Sequence, residues 1–348
     1  MAARRIAAGT GNTRAHQTRG EAMRTLSGLA RPFALCLAIL ALSATRAPAL
    51  DYPNKPIHFI ICFAAGGPND ITGRLFGQYL SEHFGQQFII ENRVGAGGNI
   101  GMQSALASPA DGYTIVFVGP NNFINATMYE KLPFDFIQDS MPVAGTMKLT
   151  NVLEVNPDMP VKTVAEYIAY AKANPGKINI GSGGVGTSPH MSGELLKAMT
   201  GINIVHVPYR GTAPALIDLL SGQLQSMYDN LPGSIGHIKS GKIRALGVTA
   251  PTRIAALPDV PAIAETVPGY EADVYYGIAV PKGTPPEIVA KLNEGVNAVL
   301  KNPKLQTRIQ ELGAEAMPMS PGEFGKLVRS QTVKWAEVIK STGLKTIQ

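Results

Sequence analysis

Residues 57–80 give the clearest indication of the fold and read IHFIICFAAGGPNDITGRLFGQYL. A short, mostly apolar run over 57–63 ends at a glycine-rich turn, after which apolar side chains recur at helical spacing. This order predicts a strand, a glycine loop and a helix. Asp70 is the expected N-cap of that helix, and Gly85 its C-terminal stop.

The same unit recurs immediately downstream. The pattern predicts a strand at 88–91, a loop at 92–98, a helix at 99–107 and a strand at 114–118. Consecutive units of this kind build a parallel sheet with helices on its faces. The sequence therefore predicts an α/β fold.

A second series of strands and helices begins near 152–155. Thr163 and Glu166 form the pattern of a capping box. A strand at 178–182 leads into a second glycine loop at 183–187, after which Ser188 is the expected helix cap. Later strands are predicted at 204–207, 225–229 and 273–280, and later helices at 212–221 and from near Pro285, Pro303 and Pro321.

The formal charge of +6 is unevenly distributed. Seven of the 31 basic residues and one of the 25 acidic residues lie in residues 1–50, which leaves 24 of each in residues 51–348. A protein that binds nucleic acid needs a basic face to displace counterions. We therefore expect no nucleic-acid partner.

The first 49 residues have the order of a secretory signal peptide. Arginines precede an apolar run at 33–42, and small residues follow it as far as Ala49. Ten apolar residues are too few to span a bilayer of about 30 Å. We expect cleavage near Ala49 and a periplasmic mature protein, in which Cys62 is the only cysteine and no intramolecular disulfide can form.

Both glycine loops follow strands and precede helices. In open α/β sheets, ligands bind at the carboxyl ends of the strands, where free backbone N–H groups attract anions. Neither loop contains Lys or Arg. If they bind a carboxylate, we expect the donors to be backbone amides and the hydroxyls of Thr187 and Ser188, with Asp70 or Asp229 orienting an amine or hydroxyl.

Enzyme signatures are weak in this sequence. Gly181, Gly183 and Gly186 match a dinucleotide fingerprint, but no acidic residue follows at the distance needed to bind a ribose. The histidines lack zinc-ligand spacing. We expect no cofactor, no metal and no catalysis; the alternative is an exported α/β hydrolase-like enzyme that uses Ser188 and His190.

Several motifs together resemble the Bug receptors, the extracytoplasmic solute-binding proteins of tripartite tricarboxylate transporters. They occur in order at residues 63–70 (FAAGGPND), 91–101 (ENRVGAGGNIG), 111–113 (DGY), 186–190 (GTSPH), 206–211 (HVPYRG) and 218–223 (DLLSGQ).

This resemblance implies a two-domain periplasmic binding protein of type II, a Venus flytrap in which each domain is a mainly parallel sheet flanked by helices. Domain 1 would comprise 50–148 with 251–348, and domain 2 would comprise 149–250. The resemblance also implies ligand contacts at Phe63, Ala65, Gly66, Asp70, Gly183, Gly186, Thr187, Ser188, His190, Tyr209 and Asp229.

The expected function is capture of a small carboxylate by domain closure. A dicarboxylate, an aromatic acid or an acidic amino acid would then pass to a two-subunit membrane permease. We expect the receptor to be a monomer. A sensor that presents its closed form to a membrane signalling partner is a further alternative, because it would use the same binding chemistry.

Overall fold

The computed structural model describes residues 51–344 and residue 347. The predicted signal peptide, residues 1–49, lies outside the described residues. The strands, in chain order, are β1 (Ile57–Ile61), β2 (Phe88–Asn92), β3 (Thr114–Val118), β4 (Ser140–Val155), β5 (Asn179–Ser182), β6 (Val205–Pro208), β7 (Ser226–Asn230), β8 (Arg244–Val248), β9 (Asp273–Pro281) and β10 (Glu315–Ala316).

The α-helices alternate with these strands through most of the chain. They are α1 (Pro68–Phe84), α2 (Asn99–Leu106), α3 (Pro120–Met128), α4 (Phe136–Asp139), α5 (Val164–Ala173), α6 (Ser188–Thr200), α7 (Thr212–Leu220), α8 (Leu231–Lys239), α9 (Pro286–Leu300), α10 (Pro303–Glu311) and α11 (Pro321–Thr342).

The predicted cap of α1 was placed too late. The helix begins at Pro68 with Gly67 as its N-cap, so Asp70 lies within the first turn. Proline suits this position because its fixed φ is helical and the first N–H of a helix has no intrahelical acceptor. The predicted stop is confirmed, since Gly85 ends the helix in the left-handed conformation, with φ of +64°.

The cap of α6 was placed one residue too late. The Thr187 hydroxyl oxygen accepts a hydrogen bond from the backbone N–H of His190, which makes Thr187 and not Ser188 the N-cap. The cap predicted for α5 is confirmed, because the Thr163 hydroxyl oxygen accepts from the Glu166 N–H at 3.1 Å.

The sheet is mixed and runs in the order β2-β1-β3-β9-β4-β7-β5-β6. The predicted parallel pairs are present, since β1 pairs in parallel with β2 and β3, and β5 does so with β6 and β7. The sheet is not parallel throughout. Strand β9 returns antiparallel between β3 and β4.

Strand β4 belongs to both halves of this sheet. Its first eleven residues, 140–150, pair with β9, whereas residues 151–155 pair with β7 and β8. The side chain of Thr249 marks the change of partner: its oxygen lies 3.0 Å from the Thr150 hydroxyl and accepts from the Asn151 N–H at 2.9 Å. We call β1, β2, β3 and β9 the first strand group, and β5 to β8 the second.

Each strand group has its own buried apolar side chains. Phe59, Phe117 and Ile278 belong to the core of the first group. Leu153 and Tyr228 belong to the core of the second. No helix among the described residues is long and apolar enough to cross a membrane.

Candidate functional site

The N-termini of five helices meet around one cavity. Helices α1, α3, α6, α7 and α8 follow the carboxyl ends of β1, β3, β5, β6 and β7. The space between them is about 410 Å³, including its opening to solvent. The lining residues are Phe63, Ala64, Gly67, Pro68, Asn69, Pro120, Asn121, Gly183, Thr187, Ser188, Pro189, Gly211, Thr212, Asn230 and Tyr276.

These lining residues provide a neutral but polarised environment. None of them is an Asp, Glu, His, Lys or Arg. The first N–H groups of a helix lack intrahelical acceptors, and each helix N-terminus carries roughly half a positive charge. A cavity surrounded by five such ends favours an anion.

Asp70 lies beside the first glycine loop and stabilises it. Its carboxylate accepts hydrogen bonds from Gly66 N, Arg74 Nε and Asn92 Nδ2, each at 2.9 Å. Burial by itself would raise the pKa of Asp70, but these hydrogen bonds and the Arg74 charge lower the pKa below its usual value. Asp70 is therefore an ionised structural anchor of the loop.

In the second glycine loop, the Thr187 hydroxyl makes two hydrogen bonds within the protein. It donates to Gly184 O at 2.7 Å and accepts the N–H of His190 as the cap of α6. Gly184 and Gly186 have φ of +124° and +80°. These backbone conformations, which glycine adopts without strain, form the turn from β5 into α6.

Two histidine rings pack behind this loop. The ring centroids of His190 and His206 are 4.1 Å apart, and Gly186 N donates to His190 Nδ1 at 3.3 Å. Burial, with a smaller contribution from neighbouring positive charge, lowers the pKa of His190 to about 3 and that of His206 to about 4. Both rings are therefore neutral at pH 7 and act as packing and hydrogen-bonding groups.

A hydrogen-bond network fixes one wall of the cavity. The Tyr276 hydroxyl lies 2.6 Å from the side-chain amide of Asn69 and 2.7 Å from that of Asn230. Asn230 Nδ2 donates to Ser188 Oγ at 3.1 Å and also to Asn151 Oδ1. The Tyr276 hydroxyl shares its one proton between the acceptors Asn69 Oδ1 and Asn230 Oδ1, and through Asn230 and Ser188 this network links α1 to α6.

In this part of the structure, Ser188 and His190 have different hydrogen-bond partners. Ser188 Oγ accepts from Asn230 and lies 3.4 Å from Asn151 Oδ1, whereas His190 Nδ1 accepts from Gly186 N. A nucleophilic serine needs a base within hydrogen-bonding reach. This geometry does not favour the hydrolase alternative.

Two carboxyl groups on the paired strands β4 and β7 are fully buried. Glu154 on β4 and Asp229 on β7 are 0% and 1% exposed. Burial raises the pKa of Asp229 to about 7, and burial together with the Asp229 charge raises the pKa of Glu154 well above its usual value. Neither Asp229 oxygen makes a hydrogen bond of ordinary geometry within the described part of the chain, but the Thr212 hydroxyl and the Asn230 N–H lie close enough to lower its pKa against the effect of burial. No group of three or more potential metal ligands occurs there either.

The structure brings together four of the eleven residues expected at the site. Those that line the cavity are Phe63, Gly183, Thr187 and Ser188. The others lie outside the lining and are Ala65, Gly66, Asp70, Gly186, His190, Tyr209 and Asp229. Tyr209 is turned toward α7, where its hydroxyl donates to Asp218 Oδ2 at 2.7 Å.

Several residues that line the cavity were not predicted from the sequence. The most informative are Pro120 and Asn121, which open α3 directly after β3. The turn Gly119-Pro120-Asn121-Asn122 after a predicted strand was a usable signal for a helix start. No local sequence pattern indicates that Tyr276 lines the cavity, because its position depends on the antiparallel pairing of β9 with β3.

Comparison with known proteins gives a consistent family. Residues 73–344 match the family described as "Tripartite tricarboxylate transporter family receptor". Among solved structures, R. palustris Rpa4515 with adipate is 37% identical with a TM-score of 0.83, and the match covers 85% of this chain and all of the other.

Two further structures have similar scores. The periplasmic binding protein BugD is 32% identical with a TM-score of 0.82, and the match covers 85% of this chain and all of BugD. MatC from Rhodopseudomonas palustris with bound malate is 30% identical with a TM-score of 0.79, and the match covers 83% of this chain and all of MatC.

Proposed function

Because the chain belongs to the tripartite tricarboxylate transporter receptor family, a family of solute-binding proteins, we propose that it captures a small organic carboxylate. The observation that carries this proposal is the convergence of five helix N-termini on one cavity without an ionised lining residue. The adipate and malate bound to its structural relatives are small carboxylates.

The anion would be held by dipoles rather than by a lysine or arginine. Backbone N–H groups at a helix N-terminus form a ready anion site, and each such end favours a negative charge by about 0.3–1 kcal/mol. This arrangement explains how residues 51–348 can bind an anion although their basic and acidic residues are equal in number.

Capture would proceed by closure of the two predicted domains, residues 50–148 with 251–348 and residues 149–250. The first contributes Asn69, Asn121 and Tyr276 to the cavity, and the second contributes Ser188 and Thr212. A ligand that contacts both sets binds the closed form more tightly than the open form. Only this difference in affinity shifts the equilibrium toward closure.

The proposed setting is the periplasm, where the monomeric closed receptor would deliver its ligand to a two-subunit membrane permease. Cells that express the full chain should contain a periplasmic product whose N-terminus, read by mass spectrometry, lies at Leu50. A product that retains residues 1–49 in the cytoplasm would contradict this part of the proposal.

The binding proposal can be tested with purified protein and pairs of ligands. Each carboxylic acid in a panel of C4 to C6 acids and aromatic acids is compared with its neutral amide by thermal shift and calorimetry. We expect at least one acid to raise the melting temperature by mass action and its amide to have little effect. Absence of binding by every acid, or equal binding of acid and amide, would overturn it.

Delivery needs a separate experiment in cells. Deletion of the receptor should abolish uptake of the labelled acid, and uptake should return with the wild-type gene. Unchanged uptake, together with co-purification of a membrane signalling protein, would instead support the sensor alternative.

A further inference from the structure

We infer that Asp229 is a proton-binding site coupled to the cavity, so that the protein takes up a proton together with its anionic ligand. This inference rests on the proposed function, because it requires an anion in the cavity. It adds the proton as a second ligand and assigns the residue that holds it.

Asp229 lies against the lining of the cavity. Its carboxyl group is close to the Thr212 hydroxyl and to the backbone N–H of Asn230, and both of these residues line the cavity. A third lining residue, Pro68, approaches from α1. A Cβ atom on Gly233 would lie 2.3 Å from Asp229 Oδ2 and 3.0 Å from Pro68 Cγ. The carboxyl group is therefore next to residues that would surround the ligand.

No positive side chain balances this carboxyl group. The groups that face it are the Glu154 carboxyl on β4, the Thr212 hydroxyl on α7 and the Tyr276 hydroxyl on β9. Within the described part of the chain, neither carboxyl group forms an ion pair with a lysine, arginine or histidine. An unpaired buried carboxylate is costly, so this environment favours the protonated form.

The position of Glu154 makes Asp229 the member of the pair that titrates near neutral pH. Asp229 lies opposite Val152, and Glu154, two residues further along β4, lies on the same face of the sheet. The Ser234 hydroxyl donates to Glu154 Oε1. Burial and the Asp229 charge raise the pKa of Glu154 well above its usual value, whereas burial raises the pKa of Asp229 to about 7. Glu154 therefore keeps its proton at pH 7, while Asp229 exchanges its proton.

The Thr212 hydroxyl connects the protonation of Asp229 to the ligand. A hydroxyl has one proton, which Thr212 donates to Asp229 when Asp229 is ionised and can donate to a ligand when Asp229 is protonated. Thr212 Oγ1 lies toward the first glycine loop, 3.7 Å from the position of a Cβ atom on Gly67. Protonation of Asp229 thus releases a donor at the lining of the cavity.

Charge acts in the same direction. A bound carboxylate and an ionised Asp229 repel each other and compete for the N–H groups at the start of α8, where Asn230 is the N-cap. Ligand binding therefore raises the affinity of Asp229 for its proton. By linkage, the proton raises the affinity of the cavity for the anion by the same factor.

Calorimetry measures this proton directly. Adipate, malate, succinate and benzoate are each titrated into the protein at pH 7.5 in phosphate and in Tris, which have different enthalpies of ionisation. For an acid that binds, we expect uptake of about half a proton, and a three- to tenfold fall in affinity of about this size from pH 6.5 to pH 8.5. His190 and His206 do not interfere, because their pKa values of about 3 and 4 lie below this range.

Three variants assign the proton to one residue. Asp229→Asn, which is similar in size but cannot titrate, should take up no proton and bind with an affinity that is constant over this pH range. Glu154→Gln should still take up a proton, because Glu154 is neutral throughout the range. Asp259→Asn, at an exposed position, is the control and should match the wild type. Loss of proton uptake in Glu154→Gln but not in Asp229→Asn would overturn the assignment.

The wild-type protein gives a second readout that does not depend on the folding of a variant. With ¹³C-labelled aspartate carboxyl groups, one resonance should titrate near pH 7 in the free protein and at higher pH in the complex. The same midpoint in both states would overturn the inference.

The outcomes also separate this inference from the proposed function. If none of the acids binds, both fail. If an acid binds without proton uptake, or with release of a proton, the inference fails and carboxylate capture stands.

Discussion

Gly186 and Asn125 lie so close that a Cβ atom on Gly186 would be 1.8 Å from Asn125 Oδ1. Gly186 follows β5 of the second strand group, and Asn125 lies on α3, which follows β3 of the first. The two groups approach each other beside the cavity because residue 186 has no side chain.

Replacement of this glycine should therefore weaken ligand capture. Gly186→Ala introduces the clash and also strains a φ of +80°, so we expect ligand affinity to fall at least tenfold, measured by calorimetry. Gly201→Ala is the matched control, because Gly201 has φ of +70° but open space around it. The control should lose about 1 kcal/mol of stability and retain its affinity. Equal affinities for the two variants would contradict the prediction.

The Tyr276 hydroxyl should stabilise the wall of the cavity that it forms with Asn69 and Asn230. Tyr276→Phe removes the group that joins Asn69 to Asn230, and we expect a loss of about 1–2 kcal/mol in unfolding free energy as well as weaker ligand binding. Tyr275→Phe provides the comparison on the adjacent residue, whose hydroxyl lies 3.5 Å from Asp273. A loss of affinity in Tyr275→Phe as large as that in Tyr276→Phe would argue against a specific network.

The buried carboxyl pair should make the protein less stable as pH rises. The pKa of Asp229 is raised to about 7, so the folded state retains a proton that the unfolded state releases near pH 4. The contribution of Asp229 to the free energy of unfolding is at most about 4 kcal/mol. It is fully present below about pH 4 and is lost as the pH rises to about 7.

Asp229→Asn isolates this effect. The unfolding free energy of Asp229→Asn minus that of the wild type, both measured in urea, should increase between pH 5 and pH 8. Asp259→Asn, at an exposed position, should show no such trend. The explanation would be wrong if the difference between Asp229→Asn and wild type were constant with pH.

The buried histidines should make the protein less stable as the pH falls. The pKa of His190 is lowered to about 3, so the unfolded state binds a proton below about pH 6.5 that the folded state excludes. The stabilising contribution is therefore present above pH 6.5 and is lost as pH falls to about 3.

His190→Phe should reduce this acid sensitivity. We expect a lower melting temperature at pH 7, because Gly186 N loses its acceptor, but a shallower decrease in melting temperature from pH 6.5 to pH 4. His83→Phe, at an exposed position, is the control and should keep the wild-type slope. Parallel pH profiles for wild type and His190→Phe would exclude His190 as the source.

Local sequence patterns predicted much of the fold. The strand at 114–118 was placed with its observed bounds, and the glycine at 85 ended its helix as expected. The caps of α1 and α6 were predicted three residues and one residue too late, because Asp70 and Ser188 are themselves good capping residues close to the true caps Gly67 and Thr187. The antiparallel direction of β9 could not be predicted, because it depends on a long return of the chain.

The resemblance to Bug receptors is confirmed by the family match and by BugD, and the chain is a solute-binding protein rather than an enzyme. The ligand contacts remain a prediction. The sequence indicated both glycine loops and Asp229, but not Asn121 or the burial of Glu154 beside Asp229. The proximity of Glu154 and Asp229 depends on the pairing of β4 with β7, whereas Asn121 follows a helix-start pattern directly after β3.

Strand β4 makes the two strand groups depend on each other. Its 16 residues supply an inner strand to both groups, so neither group is complete without the same continuous segment. A chain cut near residue 150 would leave an unpaired edge on each fragment, and exposed edges promote aggregation. The protein should therefore lose structure in a single cooperative transition, and its two strand groups should be inseparable as recombinant fragments.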